Sequence, residues 1–311
     1  MISSTKLRIL ALSLLLLPGA SFGDNHAAGS TFTESLTLDE SVVLDVSTGS
    51  GSIEVSAGPG RDVTIVGRIR VQKTSFWRRA VDAGEIIAQV QANPPVEVSD
   101  GILRVGRFED RSLGRRVNIS YEIVVPGDTE VRARTGSGSI SVSDVAARVT
   151  ASSGSGRVTL ENIGGPVRAS AGSGSIRADG VAGEFDAKTG SGSISLTQTA
   201  PGDVRTSTGS GSTELTDIVG ALKAGAGSGS ITIEGQQAGD WNIGTGSGSI
   251  RVALPADAAF ELDAESNSGS ITIDHPLTVT GKNTKRHVRG EVRGGGPLLQ
   301  LDTGSGGIRV E

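Results

Sequence analysis

The chain contains no cysteine, so no disulfide can staple it and no lipid can be attached through a thiol. Aromatic residues are scarce, at 3% of 311, with a single tyrosine, and there is one methionine. A wide globular core is normally filled by large side chains. An interior built here must use Ile, Val, Leu and Ala, which suits a thin fold. The three histidines, His26, His275 and His287, stand in unrelated contexts without metal-ligand spacing. Beyond the first residues, no apolar stretch reaches the length of a membrane span. No phosphate-loop, dinucleotide-binding or calcium β-roll pattern is found among the glycines. From residues alone, then, no catalytic, cofactor-binding or metal-ligating residue is assigned, and no cofactor is expected.

Glycine is abundant, at 46 residues, and it is not scattered. A tag of the form Gly-Ser-Gly-Ser-Ile, with small variations, starts at Gly49, Gly136, Gly154, Gly172, Gly190, Gly209, Gly227 and Gly246. It degrades to Asn267-Ser268-Gly269-Ser270-Ile271 and closes as Gly304-Ser305-Gly306-Gly307-Ile308. From Gly136 to Gly246 the steps are 18, 18, 18, 19, 18 and 19 residues. A flexible linker would not hold that period, nor keep Ile or Val at one phase after each tag. Apolar residues alternate on either side, as in Val167-Arg168-Ala169-Ser170-Ala171 and Ile176-Arg177-Ala178. Period two is strand periodicity. Each unit reads as two short strands joined at a Gly-rich corner, with a second turn near Asp179-Gly180 or its equivalent.

Such a unit cannot bury its own apolar face, so units must stack. The fold class expected is all-β, a parallel β-solenoid of about 18-residue coils. Ile140, Ile176, Ile194, Ile231 and Ile250 should form one interior column. The tag glycines are expected to supply positive φ at the corners. Neighbouring Ser and Thr are expected to form hydroxyl ladders between coils.

Residues 60–130 break the rhythm. Phe76, Ala80, Ala83, Ile87 and Val90 fall on one face of a helix, which Asn93-Pro94-Pro95 stops. Val96–Val98 and Ile102–Val105 flank Asp100-Gly101, a hairpin signal. Exposed strand edges at a solenoid end invite aggregation, so this insertion is read as a cap, with a ligand-binding insertion as the alternative. Near the other end, 282–293 carries Lys282, Lys285, Arg286, His287, Arg289 and Arg293. That loop would either touch an anionic surface polymer or simply be solvated.

The first residues have the layout of a secretory signal peptide. Lys6 and Arg8 precede the apolar run Ile9–Leu17, then Pro18, Gly19 and Ala20, with cleavage expected after Gly23. The remainder carries 27 basic and 34 acidic residues, a formal charge of −7, which argues against nucleic acid as a partner. The expected division is 1–23 signal peptide, 24–130 an N-terminal coil with the helix and hairpin cap, and 131–311 the solenoid repeats.

Two stretches carry a family resemblance. Asn118–Pro126 followed by Val131–Ile140, and the ending Gly294–Ile308, look like the bacterial "putative adhesin" family of β-strand-repeat proteins, a domain of unknown function. The resemblance spans roughly residues 40–311, and the helical insertion Ser75–Ala92 departs from it. It implies a solenoid fold and export, and it brings no site residues. The function expected is that of an exported structural or interaction protein, an adhesin-like scaffold of the cell envelope, in the periplasm or outside the cell. Its partner would be an envelope or extracellular ligand, a glycan or a protein, with neither nucleic acid nor a transmembrane anchor, and with end-to-end self-association open. The alternatives are an exported carbohydrate-active enzyme on a β-helix and a self-assembling solenoid.

Overall fold

The computed structural model describes residues 30–38, 40–71, 83–279 and 284–311. The leader 1–23 and the first part of the expected helix lie outside them. The fold is all-β and mostly parallel. The strands before each tag form one sheet, here the leading sheet, and those after each tag form the trailing sheet. On the leading sheet Val131, Val149, Val167, Phe185 and Val204 are successive partners. On the trailing sheet the succession is Ile53, Ile140, Val158, Ile176, Ile194, Thr213, Ile231, Ile250, Ile308 and Ile271. The five isoleucines expected in one column are therefore in register, and each is at most 1% exposed.

The core between the sheets is thin. Each strand turns about two apolar side chains inward, for example Val149 and Ala151 facing Val158 and Leu160. A buried Ile or Leu contributes about 1.5–3 kcal/mol, so the column stabilises the stack only in aggregate. Two members depart from it. Thr213 is 1% exposed, and its hydroxyl has no hydrogen-bond partner. Tyr121, which pairs with Ile53, caps the column with an unpartnered buried hydroxyl, and burial pushes that phenol well above its ordinary pKa.

The corners correct one expectation. The glycines at the first and third positions of the tags from Gly136 to Gly248 do not have positive φ. Their need is steric. A Cβ at Gly174 would lie 1.9 Å from the carbonyl oxygen of Gly156, and one at Gly192 would lie 2.0 Å from that of Gly174. Successive corners are stacked backbone on backbone, and only glycine leaves the space. Left-handed conformations occur at the second turn instead, at Asp144, Asn162, Gly180 and Asp217.

The hydroxyl ladder forms at these corners. At five tags the Thr or Ser before the tag accepts from a glycine N–H of its own corner and donates to a carbonyl of the neighbouring corner. Gly192 N–H donates to Thr189 Oγ1 at 3.1 Å, and Thr189 Oγ1 donates to Gly174 O at 2.9 Å. Thr135, Ser153, Thr208 and Ser266 repeat both bonds. Ala171 and Ala226 stand at this position in two coils and offer no hydroxyl.

At both ends chain order and spatial order part company. Val43–Thr48 lies between Ile102–Val105 and Glu130–Thr135. Leu298–Ser305 lies between the second half of Ile231–Ser247 and Phe260–Ser266. Beyond these coils the strands turn antiparallel. Asp62–Val71 and Ser30–Thr37 extend the trailing sheet at one end. His287–Val292 and Leu277–Val279 extend the leading sheet at the other. The hairpin at Asp100-Gly101 forms as its sequence predicts, with both residues at positive φ. The helix is described over Ala83–Ala92, where it buries Ile86 and Val90 and only partly covers Ile87. Val90 is buried as expected, and Ile86 is buried in place of Ile87. No helix among the described residues is long and apolar enough to cross a membrane.

These contacts set opposite expectations for two neighbours in the column. Ile194→Asp places an unpartnered charge in the core and should cost several kcal/mol. Thr213→Val removes an unsatisfied buried hydroxyl at nearly constant volume and should stabilise by about 1 kcal/mol. Thermal unfolding of the two variants checks both signs. A melt of Ile194→Asp equal to wild type would overturn the packing described.

Candidate functional site

Inward side chains hold the stack together, so any recognition falls to outward ones. Strand alternation fixes which these are. On the leading sheet the first outward row includes Arg132, Thr150, Arg168, Asp186, Arg205, Lys223, Asn242, Gln300 and Asp263, each beside the next. The second row includes Ser152, Ser170, Lys188, Ser207, Gly225, Gly244, Asp302 and Glu265. Toward both ends charges pair. Arg134 reaches Asp45 at 2.5 Å, and Arg168 reaches Asp186 at 3.4 Å. Arg289 and His287 both hold Asp263. These pairs are exposed on one side or both, so each contributes little to stability.

The two carboxylates Asp263 and Asp302 respond differently to this setting. Burial pushes the Asp263 carboxyl up, but the hydrogen bonds from Arg289 and His287 outweigh it and hold the group below its ordinary range. Asp302 is raised, chiefly by burial and further by Glu265 and Asp263, although a hydrogen bond from Gln300 opposes this. Two grooves share Gly244, and Asp302 lines the first of them. One, of about 360 Å³, is lined by Gly244, Glu265, Asn267 and Asp302. The other, of about 370 Å³, runs over Lys188, Arg205, Ser207, Lys223, Gly225, Asn242 and Gly244. A third groove of about 530 Å³ lies at the helix and hairpin insertion, lined in part by Pro94, Pro95, Arg107, Phe108 and Leu113.

The tag serines Ser137, Ser173, Ser191, Ser210, Ser228 and Ser247 are all exposed. Their backbones repeat as well. Ser173 N–H donates to Gly154 O, Ser191 N–H to Gly172 O and Ser210 N–H to Gly190 O, at 3.1, 3.2 and 3.2 Å. Glu54, Glu214 and Glu234 point outward from separate strands. His275 is buried edge-on against Phe260 with no partner for Nε2, and His287 sits at Asp263, so the two are not brought together. His26 lies outside the described residues. Within the basic loop, Arg289 is committed to Asp263, and Arg293 donates to the Ala256 carbonyl. The middle groove was not read from the sequence. Its signal was the change from Ser or Lys to Gly at residues 225 and 244, which the glycine-rich background concealed.

With this geometry in view, the family is clear. Residues 100–311 match the model of the Toastrack DUF4097 family, and the chain belongs to that family. The chain is also similar to an uncharacterized HTH-type transcriptional regulator in an unstable DNA locus of Streptomyces ambofaciens. That relative is 33% identical over 105 residues, which are 33% of this chain and 44% of the relative. The chain thus spans less than half the length of that curated relative. Two solved structures are similar in outline. One is a putative cell adhesion protein from Clostridium sporogenes, 12% identical, covering 90% of this chain and 99% of its own, with a TM-score of 0.21. The other is a putative adhesin from Bacteroides fragilis, 12% identical, covering 91% and 97%, with a TM-score of 0.41. Neither likeness assigns a function here.

The raised Asp302 gives a pH dependence with a definite sign. A carboxyl whose folded pKa lies above the unfolded one favours folding at low pH, and that contribution is lost as pH rises through the folded value. Asp302→Asn should therefore raise the melting temperature at neutral pH, and the gain should vanish as pH falls below the ordinary carboxylate range. Melts of both proteins across pH check this. A variant less stable at neutral pH would contradict the assignment.

Proposed function

We propose that this chain is an exported adhesin-like scaffold of the cell envelope, a β-solenoid of about 18-residue coils that binds through its outward rows and has no catalytic side chain. Membership of the Toastrack family supports the solenoid reading. The observation that carries the binding reading is the repetition of the surface. The tag serines recur at equivalent exposed positions with equivalent backbone bonds. Catalysis needs one nucleophile or acid set apart by a shifted pKa or a positioned base. Repeated surroundings set none of these serines apart, whereas many weak equivalent contacts add up in binding. Export rests on the leader: Lys6 and Arg8, the apolar run Ile9–Leu17, and small residues before Gly23.

The antiparallel strands at both ends, with the helix Ala83–Ala92, are read as caps that cover the stack. The partner is an envelope or extracellular glycan or protein. The test is an array of glycans and matrix proteins probed with the purified chain lacking residues 1–23. Single Ser→Ala changes at Ser137, Ser173, Ser191, Ser210, Ser228 and Ser247 follow on whichever ligand binds. Each change should weaken binding modestly, and the losses should accumulate in combination. If one substitution abolishes a measurable turnover while its equivalents do nothing, the chain is an enzyme and the scaffold reading fails.

A further inference from the structure

The middle of the leading sheet departs from the charge pairing of its ends. Arg205 and Lys223 are direct neighbours across parallel strands, about 4.8 Å apart in the sheet. Lys188 lies one strand further along, beside Ser207. All three are exposed, and none has an ion pair or hydrogen bond to any described residue. Asp186 is the direct neighbour of Arg205 on the other side and lines the same groove, but Arg168 engages its carboxylate at 3.4 Å. Like charges placed opposite each other destabilise a sheet, so the fold gains nothing from this arrangement.

Two glycines lie beside these cations. Gly225 and Gly244 are partners on adjacent strands, in the row where other coils carry Ser, Lys or Asp. Unlike the tag glycines, they are not required by the backbone. A Cβ at Gly225 would meet nothing within 4 Å, and one at Gly244 would meet only Asp302 O at 3.8 Å. Neither has positive φ. Glycine inside a strand weakens it, and where no neighbouring backbone explains it, it marks a surface another molecule approaches closely. The result is a groove of about 370 Å³ with a bare backbone floor and walls of Lys188, Arg205, Lys223 and Asn242, with Asp186, held by Arg168, at its edge.

We infer that this groove binds a linear acidic polysaccharide, its carboxylates or sulfates held by Lys188, Arg205 and Lys223 and its chain lying on Gly225 and Gly244. The inference rests on the binding-scaffold reading above and names the ligand class of that same face. Three features select this class. No aromatic side chain lines the groove, so a neutral sugar finds no stacking platform and charge must carry the affinity. The groove is open, so a long chain can pass through it. The cation strip covers only three strands before Asp302 and Glu265 begin, which suits charges spaced one or so per sugar unit. The closely spaced phosphates of a nucleic acid would run onto those carboxylates.

The test measures the binding of labelled polygalacturonate, dextran sulfate, neutral dextran and a single-stranded oligonucleotide to the full chain at low ionic strength. Polygalacturonate and dextran sulfate separate carboxylate from sulfate as the charge recognised. At least one of the two should bind, weaken with salt, and exceed the other two probes. Gly225→Thr fills the groove at an open, strand-compatible position, and the pair Arg205→Gln with Lys223→Gln removes the charge. Each should weaken binding about tenfold or more. Arg177→Gln, on the trailing sheet, should leave it unchanged. Thermal melts equal to wild type keep loss of binding distinct from loss of fold. Failure of both acidic probes to bind, binding equal to wild type in Gly225→Thr or in the charge pair, or preference for the oligonucleotide would overturn the inference. If the array finds a ligand whose binding ignores these variants, the scaffold reading stands and the groove assignment falls alone.

Discussion

The structure depends on how closely one corner can sit on the next. At each tag the third residue is packed so that a single methyl group would lie about 2 Å from a neighbouring carbonyl oxygen, as at Gly138, Gly156, Gly192 and Gly211. That approach lets the Thr or Ser before the tag bridge two corners, accepting from one and donating to the other. Parallel strands on both sheets are then held in register from the corner outward. The thin core follows from so tight a corner: most inward residues are Val, Ile, Leu and Ala, and Phe185, Trp241 and Phe260 are the large side chains buried among them, which composition did not reveal.

Much of this was legible in the sequence, because the physics repeats wherever the residues do. The period of the tag placed the corners. Alternation around it placed Ile140, Ile176, Ile194, Ile231 and Ile250 in one buried column. The role of the tag glycine was misread, since composition alone does not separate a glycine needed for positive φ from one needed for lack of a Cβ. The order of coils at the ends was not legible either. Nothing local in Val43–Gly58 or Leu298–Val310 reveals that each sits between two coils that are not both its chain neighbours. That is a consequence of long-range pairing, which periodicity does not encode. On the helix Val90 was legible and Ile86 was not, because Ile86 and Ile87 are both apolar and only the packing against the sheet chooses between them.

The same repetition that makes the fold legible hides the places where the surface departs from it. A glycine in a tag and a glycine at residue 225 look alike in composition, yet one is surrounded by backbone and the other by open space. The stack supplies a rigid, regular frame, and departures from regularity mark it locally. The unpaired Arg205 and Lys223, the bare floor at Gly225 and Gly244, and the raised Asp302 carboxyl all fall on one stretch of one sheet. On the scaffold reading proposed above, specificity lies where the repeat is broken.

The central claim, that hydroxyl-bridged corners hold the register, is tested most directly by amide hydrogen exchange resolved at single glycines. Gly138, Gly156, Gly192 and Gly211 donate to a Thr or Ser hydroxyl of their own corner. Gly174 follows Ala171, which has no hydroxyl to offer. The account predicts slow exchange at the first four, faster exchange at Gly174, and slowing of Gly174 in Ala171→Thr. Exchange at Gly174 as slow as at the other four, and unaltered by that substitution, would contradict it.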